Sequence, residues 1–152
     1  MIQPCLRCRC TAQVGSLRID VDLDPGPGTL ALVGPNGAGK SSIFELILGA
    51  RKMERGVLMV GSKVLVDTDA GIDTPVEQRR IAYVPQDYAL FPHLSVQRNV
   101  GFALVSSERN VPSRQREVRV RAILGDLGLE AVADRMPRTL SGGERQRVAL
   151  AR

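Results

Sequence analysis

The stretch Gly34–Ser41 reads GPNGAGKS and fits the phosphate-loop pattern GxxxxGK[ST] at every fixed position. Its three glycines allow the backbone to curl tightly, so that successive N–H groups and the start of the next helix point at an anion. The pattern predicts that Lys40 contacts the β- and γ-phosphates of a nucleotide and that the Ser41 hydroxyl ligates Mg²⁺. The alternative is a glycine-rich turn that matches by chance.

The residues on both sides of this loop favour phosphate binding. The preceding run TLALV, at Thr29–Val33, is short, apolar and partly β-branched, which is typical of a strand. The following residues predict a helix that ends near Gly49, with apolar side chains at Ile43, Phe44, Ile47 and Leu48. Strand, loop and helix is the arrangement that the motif requires.

Composition limits the remaining possibilities. The chain has 152 residues, 43% hydrophobic and 24% charged, which is enough for one globular core and short for two. It contains no apolar run approaching a membrane span, and Met1–Gln13 lacks the apolar core of a signal peptide, so we expect a soluble, cytoplasmic protein. The net charge of +5 invites nucleic-acid binding, but the arginines are scattered, so we expect solvated helix faces and no nucleic-acid partner.

The three cysteines, Cys5, Cys8 and Cys10, lie together in CLRCRC. They could begin a zinc site, but a closed site needs four ligands and the only histidine, His93, is far along the chain. We therefore expect free thiols on a strand.

The first half of the chain predicts an antiparallel β region. Leu17–Asp24 alternates apolar and charged residues with a period of two, and Leu6–Ala12 is a weaker strand candidate, joined to it by a turn at Val14–Ser16. Gly56–Asp67 contains two β-rich runs joined at Gly61 and Ser62, which suit a tight hairpin. Ile81–Val84 is predicted to be a strand that Pro85 stops.

The chain then changes character and predicts helices only, from Tyr88 to Thr139. Ser95 is placed to cap a helix through Leu104, and Ser113 to cap a second helix. The second helix has one apolar face, formed by Val120, Ile123, Leu124 and Leu127. A third short helix is predicted at Leu129–Arg135, so the stretch looks like a helical insertion into an α/β domain.

The chain closes on LSGGERQRVALAR, in which Ser141, Gly142 and Gly143 open a helix. Bare N–H groups, a hydroxyl and the positive end of the helix dipole would converge there, which makes a second phosphate-binding device. Taken alone, the same residues are typical of an ordinary N-cap.

Together these motifs resemble the ATP-binding cassette (ABC) family. GPNGAGKS is similar to its Walker A motif, Gln86 in YVPQD to its Q-loop glutamine, and LSGGE to its signature motif, in the family's order. The resemblance implies an α/β P-loop NTPase fold of ABC ATPase type, with an antiparallel β subdomain, a parallel core sheet and an inserted helical subdomain. It divides residues 1–152 into a β-rich and P-loop core (1–87), a helical subdomain (88–139) and the signature motif with its helix (140–152).

The resemblance also implies the ligands and a subunit partner. ATP with Mg²⁺ would lie between the Walker A loop of one subunit and the signature motif of a second, head-to-tail subunit, and Gln86 would contact Mg²⁺ and the attacking water. The nucleotide-binding residues would be Gly34, Pro35, Asn36, Gly37, Ala38, Gly39, Lys40, Ser41, Ser42, Ser141, Gly142, Gly143 and Glu144. The expected aromatic partner of adenine is absent, since no aromatic residue precedes Phe44, and Arg7 or Arg9 could stack on the base instead.

Within the family, Asp73–Val96 looks most like importers of the molybdate, sulfate, iron and polyamine group, and the loop before it favours molybdate. Phe91–Leu94 would face a membrane permease, which places the protein at the inner face of the cell membrane. The alternatives are ATPases of DNA repair, chromosome structure or translation, and a nucleotide kinase. The compact stretch between Gln86 and Ser141 favours transport because the repair and chromosome proteins insert a long coiled coil there, and a kinase gives no account of LSGGE.

The sequence departs from the family pattern after Arg152, where the Walker B strand, catalytic glutamate, D-loop and switch histidine would follow. We therefore interpret the chain as an N-terminal fragment that binds nucleotide but does not hydrolyse it alone, since hydrolysis needs a group that activates water. We also predict an exposed apolar sheet edge beside Thr29–Val33 and poor solubility.

Overall fold

The computed structural model describes residues 5–107 and 112–152. Residues 1–4 of the predicted range 1–87 and residues 108–111 of the predicted range 88–139 lie outside the described residues. The chain forms two compact units, Met1–Ala82 and Tyr83–Arg152. Among the described residues, no helix is both long and apolar enough to cross a membrane.

The first unit is built on a five-stranded antiparallel sheet. Its strands are β1 (Leu6–Val14), β2 (Leu17–Leu23), β3 (Arg55–Val60), β4 (Lys63–Asp67) and β5 (Ile72–Asp73). They lie in the order β2-β1-β3-β4-β5, so β1 sits between β2 and β3. The register pairs Cys10 with Val21 on one side and with Gly56 on the other. The predicted antiparallel pairing of the first two strands is confirmed, as is the hairpin at Gly61 and Ser62.

Alternation along the strands creates the core of this unit. Cys8, Cys10 and Ala12 of β1 are buried, while Arg7 and Arg9 between and beside them face outward. Helix α1 (Lys40–Leu48) packs its buried face, Leu46 and Ile47, in the same hydrophobic cluster. The structure thereby fixes the helix that follows the phosphate loop to the inner face of the sheet.

The two strands predicted at Thr29–Val33 and Ile81–Val84 are not formed. A strand is stabilised by a hydrogen-bonded neighbour, and no described residue pairs with either segment. Their side chains are left in solvent: Leu30 is 43% exposed, Val33 93%, Tyr83 52% and Val84 39%. The apolar sheet edge predicted beside Thr29–Val33 is therefore not formed, and Leu30 and Val33 are exposed in a segment without secondary structure.

The second unit is helical, with α2 (Val96–Ser107), α3 (Ser113–Asp126) and α4 (Gly142–Ala151). The predicted apolar face of α3 is confirmed, because Val120 and Leu124 are buried against the other helices and Ile123 and Leu127 pack beside them. The core also includes Val96 and Val100 of α2 and Val148 of α4.

Three predicted details of this unit are wrong. Ser95 does not cap α2 through its hydroxyl, whose oxygen is buried without a partner. Ser113 is the first residue of α3, and the cap position belongs to Pro112, which has no side-chain donor or acceptor. The third predicted helix is one 3-10 turn at Glu130–Val132, because Leu129 and Val132 turn into the core within three residues.

Candidate functional site

The phosphate-loop residues lie at the N-terminus of α1. Gly39 occupies the N-cap position with φ 87° and has no side chain to accept a hydrogen bond. The first intrahelical bond to it comes from Ile43 N–H, over 3.0 Å, so the N–H groups of Lys40, Ser41 and Ser42 have no acceptor within the helix. Three such donors together with the positive end of the helix dipole are an arrangement that suits an anion.

Two of the loop glycines are required by backbone geometry. Gly37 has φ 82° in open space, and Gly39 has φ 87°. A Cβ on Gly39 would lie 2.7 Å from Cδ2 of Leu17 on β2, so the Leu17 side chain would have to shift, and the positive φ itself favours glycine there.

Lys40 folds back over the loop. Its ammonium donates hydrogen bonds to the Gly34 carbonyl at 2.8 Å and to the Pro35 carbonyl at 2.6 Å. The Ala38 N–H closes the turn on the Pro35 carbonyl at 3.3 Å. The cation therefore lies beside the loop backbone, where it can exchange carbonyl contacts for phosphate oxygens.

Accessibility and charge of the loop fit a polyphosphate. Six loop residues are exposed: Gly34, Pro35, Asn36, Gly37, Ala38 and Ser41. Three are half-buried: Gly39, Lys40 and Ser42. The first turn of α1 carries no acidic residue. The first turn of α1 therefore offers backbone N–H donors, the Lys40 ammonium and the Ser41 hydroxyl, and none of its residues carries a carboxylate.

The far end of α1 is held by Arg79, a residue that the sequence patterns did not single out. Its side chain is 4% exposed. It donates to the carbonyls of Leu46 at 3.2 Å and Ile47 at 2.8 Å, and to the Thr74 carbonyl at 2.8 Å. It also pairs with Asp73 at 2.9 Å. Because Arg79 covers the last carbonyls of α1, it fixes the helix on which the phosphate loop depends.

Glycine is also needed where this arginine meets the end of α1. Gly49 ends the helix with φ 87°, and a Cβ there would lie 2.6 Å from the Arg79 guanidinium carbon. The sequence gives only a weak signal for the contact between Gly49 and Arg79, because Arg79 is one basic residue among several before Gln86.

Gln86 and the signature residues belong to the second unit. Gln86 is exposed in a turn, residues 86–89, that lies near the C-terminal end of α4. Ser141 lies at the other end of α4, about 15 Å away for a helix of ten residues. The structure therefore brings together the residues within each motif but does not place Gln86 beside Ser141.

The signature residues form a capping box. The Ser141 hydroxyl accepts from the Glu144 N–H at 3.3 Å and donates to the Glu144 carboxylate at 2.7 Å, which also accepts from the Ser141 N–H at 2.6 Å. These bonds, the hydroxyl bond foremost, hold the pKa of Glu144 below its usual value. The Ser141 hydroxyl is thus engaged by Glu144 as in an ordinary N-cap, and the exposed Gly142 and Gly143 carry further first-turn N–H groups.

The segment Phe91–Leu94 is fixed by Asn99, which is fully buried on α2. The Asn99 amide accepts from the Phe91 N–H at 2.9 Å and donates to the carbonyls of Phe91 at 3.1 Å and Leu94 at 2.9 Å. The Phe91 ring lies 4.6 Å from the ring of Phe102 in an edge-on arrangement. A groove of about 520 Å³ adjoins this segment, lined by Leu94, Gln97, Arg98, Gly101, Phe102, Ser113, Arg116, Glu117, Val120 and Arg121.

The prediction of free thiols is confirmed, since Cys5, Cys8 and Cys10 form no disulfide. Cys8 and Cys10 are buried, and the Cys8 thiol donates to the Cys10 sulfur at 3.8 Å. This bond, burial and the neighbouring charges raise the pKa of Cys8. No group of three or more potential metal ligands occurs within residues 5–107 and 112–152.

Comparison with known proteins shows the family to which this chain belongs. The family profile described as "ABC transporter" matches residues 18–152. The chain belongs to the ABC transporter family. The match includes the phosphate loop, Gln86 and the signature residues, so all three motifs of this ABC chain fall within it.

Several relatives of this ABC chain are named as import ATP-binding proteins. It is 43% identical over 91% of its length to the molybdenum import ATP-binding protein ModC of Paramagnetospirillum magneticum. It is 46% identical over 97% of its length to the molybdate/tungstate import ATP-binding protein WtpC of Archaeoglobus fulgidus. The chain spans 37% of the first relative and 57% of the second.

Solved structures show the same fold. A bacterial ABC transporter cassette solved as a dimer superposes with a TM-score of 0.71 at 27% identity, over 96% of this chain and 67% of that one. The cbiO1 cassette of Clostridium perfringens gives a TM-score of 0.74 at 25% identity, over 98% of this chain and 60% of that one. The predicted fold class is thereby confirmed.

Proposed function

We propose that this chain binds ATP with Mg²⁺ and is the nucleotide-binding part of an importer for an inorganic oxyanion such as molybdate. The observation that carries the proposal is the geometry of the phosphate loop at the uncapped N-terminus of α1, with Lys40 folded over it. The relatives named for molybdenum, molybdate and tungstate import support the substrate, and favour transport over the repair, chromosome, translation and kinase alternatives.

Different residues of the site contact different parts of the Mg²⁺-bound nucleotide. The backbone of Gly34–Ser42 donates N–H groups to the phosphates, and Lys40 leaves the Gly34 and Pro35 carbonyls for phosphate oxygens. Ser41 and Gln86 hold Mg²⁺, and Gln86 also orients water. ATP supplies the bond whose cleavage drives transport. We expect no turnover by this chain itself, because hydrolysis needs a group that activates water and we assign that role to none of the described residues.

The signature residues contact the nucleotide of a second subunit. Ser141, Gly142, Gly143 and Glu144 supply a hydroxyl and N–H groups at the N-terminus of α4. A phosphate there must take the Ser141 hydroxyl from the Glu144 carboxylate, which the capping box holds in the free chain. The related cassette that was solved as a dimer supports pairing with a second subunit.

The second partner is a membrane permease that docks on Phe91–Leu94 and the groove beside it. The groove combines apolar side chains, Leu94 and Phe102, with the charges of Arg98 and Arg116. These features fit an amphipathic helix of the permease. The protein would then lie at the cytoplasmic face of the cell membrane, with residues 1–87, 88–139 and 140–152 as its core, helical and signature parts.

Nucleotide binding by the chain tests the proposal. Calorimetric titration with MgATP should give saturable binding that Lys40→Ala weakens at least tenfold, because the variant removes the loop's cation. Lys52→Ala is the matched control, since Lys52 is exposed beyond the end of α1, and it should bind as the native chain does. Equal affinities of the two variants would refute phosphate binding by the loop. Phosphate release that depends on Lys40 would refute only the expected lack of turnover.

A further inference from the structure

The segment after Gln86 contains strained backbone. Tyr88 has φ 63° and Ala89 has φ 45°, so two successive residues with side chains adopt the left-handed conformation. Such residues are uncommon and persist only where the surroundings determine them. Something other than local preference must therefore hold this turn.

Local bonds account for part of the restraint. The Tyr88 N–H donates to the Pro85 carbonyl at 3.0 Å, and the Ala89 N–H donates to the Asp87 carboxylate at 3.2 Å. Both bonds lie within the turn. They leave the carbonyl of Ala89 for a partner from another element.

Arg152, directly after α4, is that partner. Its guanidinium donates to the Ala89 carbonyl and lies 4.3 Å from the centroid of the Phe91 ring. A planar guanidinium can donate in its plane and stack through its face at the same time, which lysine cannot do. One side chain thus contacts the segment at two points on either side of Leu90.

The other side of Phe91 is fixed to α2. Asn99 binds both the N–H and the carbonyl of Phe91. Phe91 therefore has its backbone bound to α2, and its ring contacts both Phe102 of α2 and Arg152 at the end of α4. Of these contacts, only the one with Arg152 connects Phe91 to the helix that Ser141 caps.

The turn also has space to move. A cavity of about 340 Å³ lies between it and the end of α4, lined by Tyr83, Val84, Pro85, Tyr88, Ala89, Ala149 and Arg152. Close packing would hold a turn by itself, whereas a cavity leaves the position to the few contacts that cross it. The guanidinium of Arg152 is such a contact.

We propose that Arg152 is a positioning residue that ties the C-terminal end of α4 to the segment 86–91, so that displacement of α4 at Ser141 moves Gln86 and Phe91. The helix is about 15 Å long and rigid on this scale, which makes it a lever between the two ends. The physical link stands on the contacts above. Its use in coupling nucleotide to permease rests on the proposed function.

His93 provides a reporter for the test. It is the only histidine of the chain, and its ring centroid lies 5.9 Å from that of Phe91. Its ring protons should shift in the NMR spectrum when Phe91 moves. Arg152→Met should shift them and raise the exchange rate of the Tyr88 amide at least tenfold. Arg147→Met, an exposed arginine of the same helix, is the matched control and should change neither.

Two further variants keep the test decisive. Arg152→Lys should shift His93 less than Arg152→Met does, because lysine keeps the cation over the ring and loses the planar donor. Unchanged amide signals from Val96 and Leu129 will show that the helical core is intact in each variant. An unshifted His93 together with an unchanged Tyr88 exchange rate in Arg152→Met would overturn the link.

The lever itself is tested from its other end. Ser141→Ala removes the capping box and should shift His93 in the native chain, and should do so by less than half as much in Arg152→Met. Equal shifts in both backgrounds, or none in the native chain, would overturn the lever. These measurements contain no nucleotide, so their failure is separate from a failure of ATP binding.

Discussion

Replacing Arg79 should destabilise the first unit more than any exposed charge does. Arg79→Met keeps the aliphatic volume and removes the guanidinium, which donates to the carbonyls of Leu46, Ile47 and Thr74. Since the side chain is 4% exposed, water can replace these bonds only in part.

The magnitude follows from the carbonyls of Ile47 and Thr74, which lose the Arg79 donor, while that of Leu46 keeps the Gly49 N–H at 3.1 Å. A buried acceptor that loses its donor costs about 1–3 kcal/mol, and water entering beside the flexible methionine recovers part of this. The exposed carboxylate of Asp73 contributes little, since ion pairs in solvent are worth about 0–1 kcal/mol. The free energy of unfolding should therefore fall by about 3–5 kcal/mol, against about 5–15 kcal/mol for a whole domain.

Urea denaturation followed by circular dichroism measures the loss, and hydrogen exchange of α1 and β1 amides assigns it to the first unit. Arg80→Met is the matched control, because Arg80 is adjacent and exposed, and it should change stability by less than about 0.5 kcal/mol. Asp73→Asn should cost less than about 1 kcal/mol. A loss below about 1 kcal/mol for Arg79→Met, or an equal loss for Asp73→Asn, would refute the assignment of stability to the carbonyl contacts.

Three further results should follow. Gly56→Ala should destabilise the sheet by about 2–4 kcal/mol in urea titrations because its Cβ would lie 2.4 Å from the Arg9 carbonyl, whereas Gly71→Ala, in open space at φ 69°, should cost about 1 kcal/mol. The stability that Glu144 gives α4 should be present above its unfolded pKa and lost as pH falls through its lower folded pKa, and Glu144→Gln should remove that dependence in an NMR titration. Val33→Ser should reduce self-association in light scattering without changing the unfolding free energy, since Val33 is 93% exposed.

Local pattern predicted much of the fold. The alternation at Leu17–Leu23 and the dipeptide Gly61-Ser62 each predict structure from residues within a few positions of one another, and the antiparallel β region followed from them. The phosphate loop was equally readable, because the glycines, Lys40 and the start of α1 are contiguous in sequence. These elements could be predicted because their causes lie within a few residues of one another.

The wrong strand predictions depend on distant partners, whereas the wrong caps depend on residues near in sequence, Asn99 for Ser95 and Pro112 for Ser113. Thr29–Val33 and Ile81–Val84 have the composition of strands, but a strand requires a neighbouring backbone that supplies its hydrogen bonds, and composition does not show one. Ser95 has the right type for a cap, yet Asn99 four residues later binds its carbonyl and takes over the turn before α2. Residue type set the preference and tertiary contacts decided the outcome.

Three structurally important residues were not identified from the sequence, and for the same reason: Arg79, Asn99 and Arg152. Each acts mainly on main-chain carbonyls: those that end α1, those of Phe91 and Leu94, and that of Ala89. Every residue has a carbonyl, so no side-chain pattern marks where such an arginine or asparagine will bind. The net charge of +5 suggested a solvated or nucleic-acid-binding surface, whereas two of these arginines are turned onto the protein's own backbone. One holds the end of α1, which follows the loop Gly34–Ser41, and the other reaches the turn that contains Gln86, so the positions of these two segments depend on contacts that only the structure reveals.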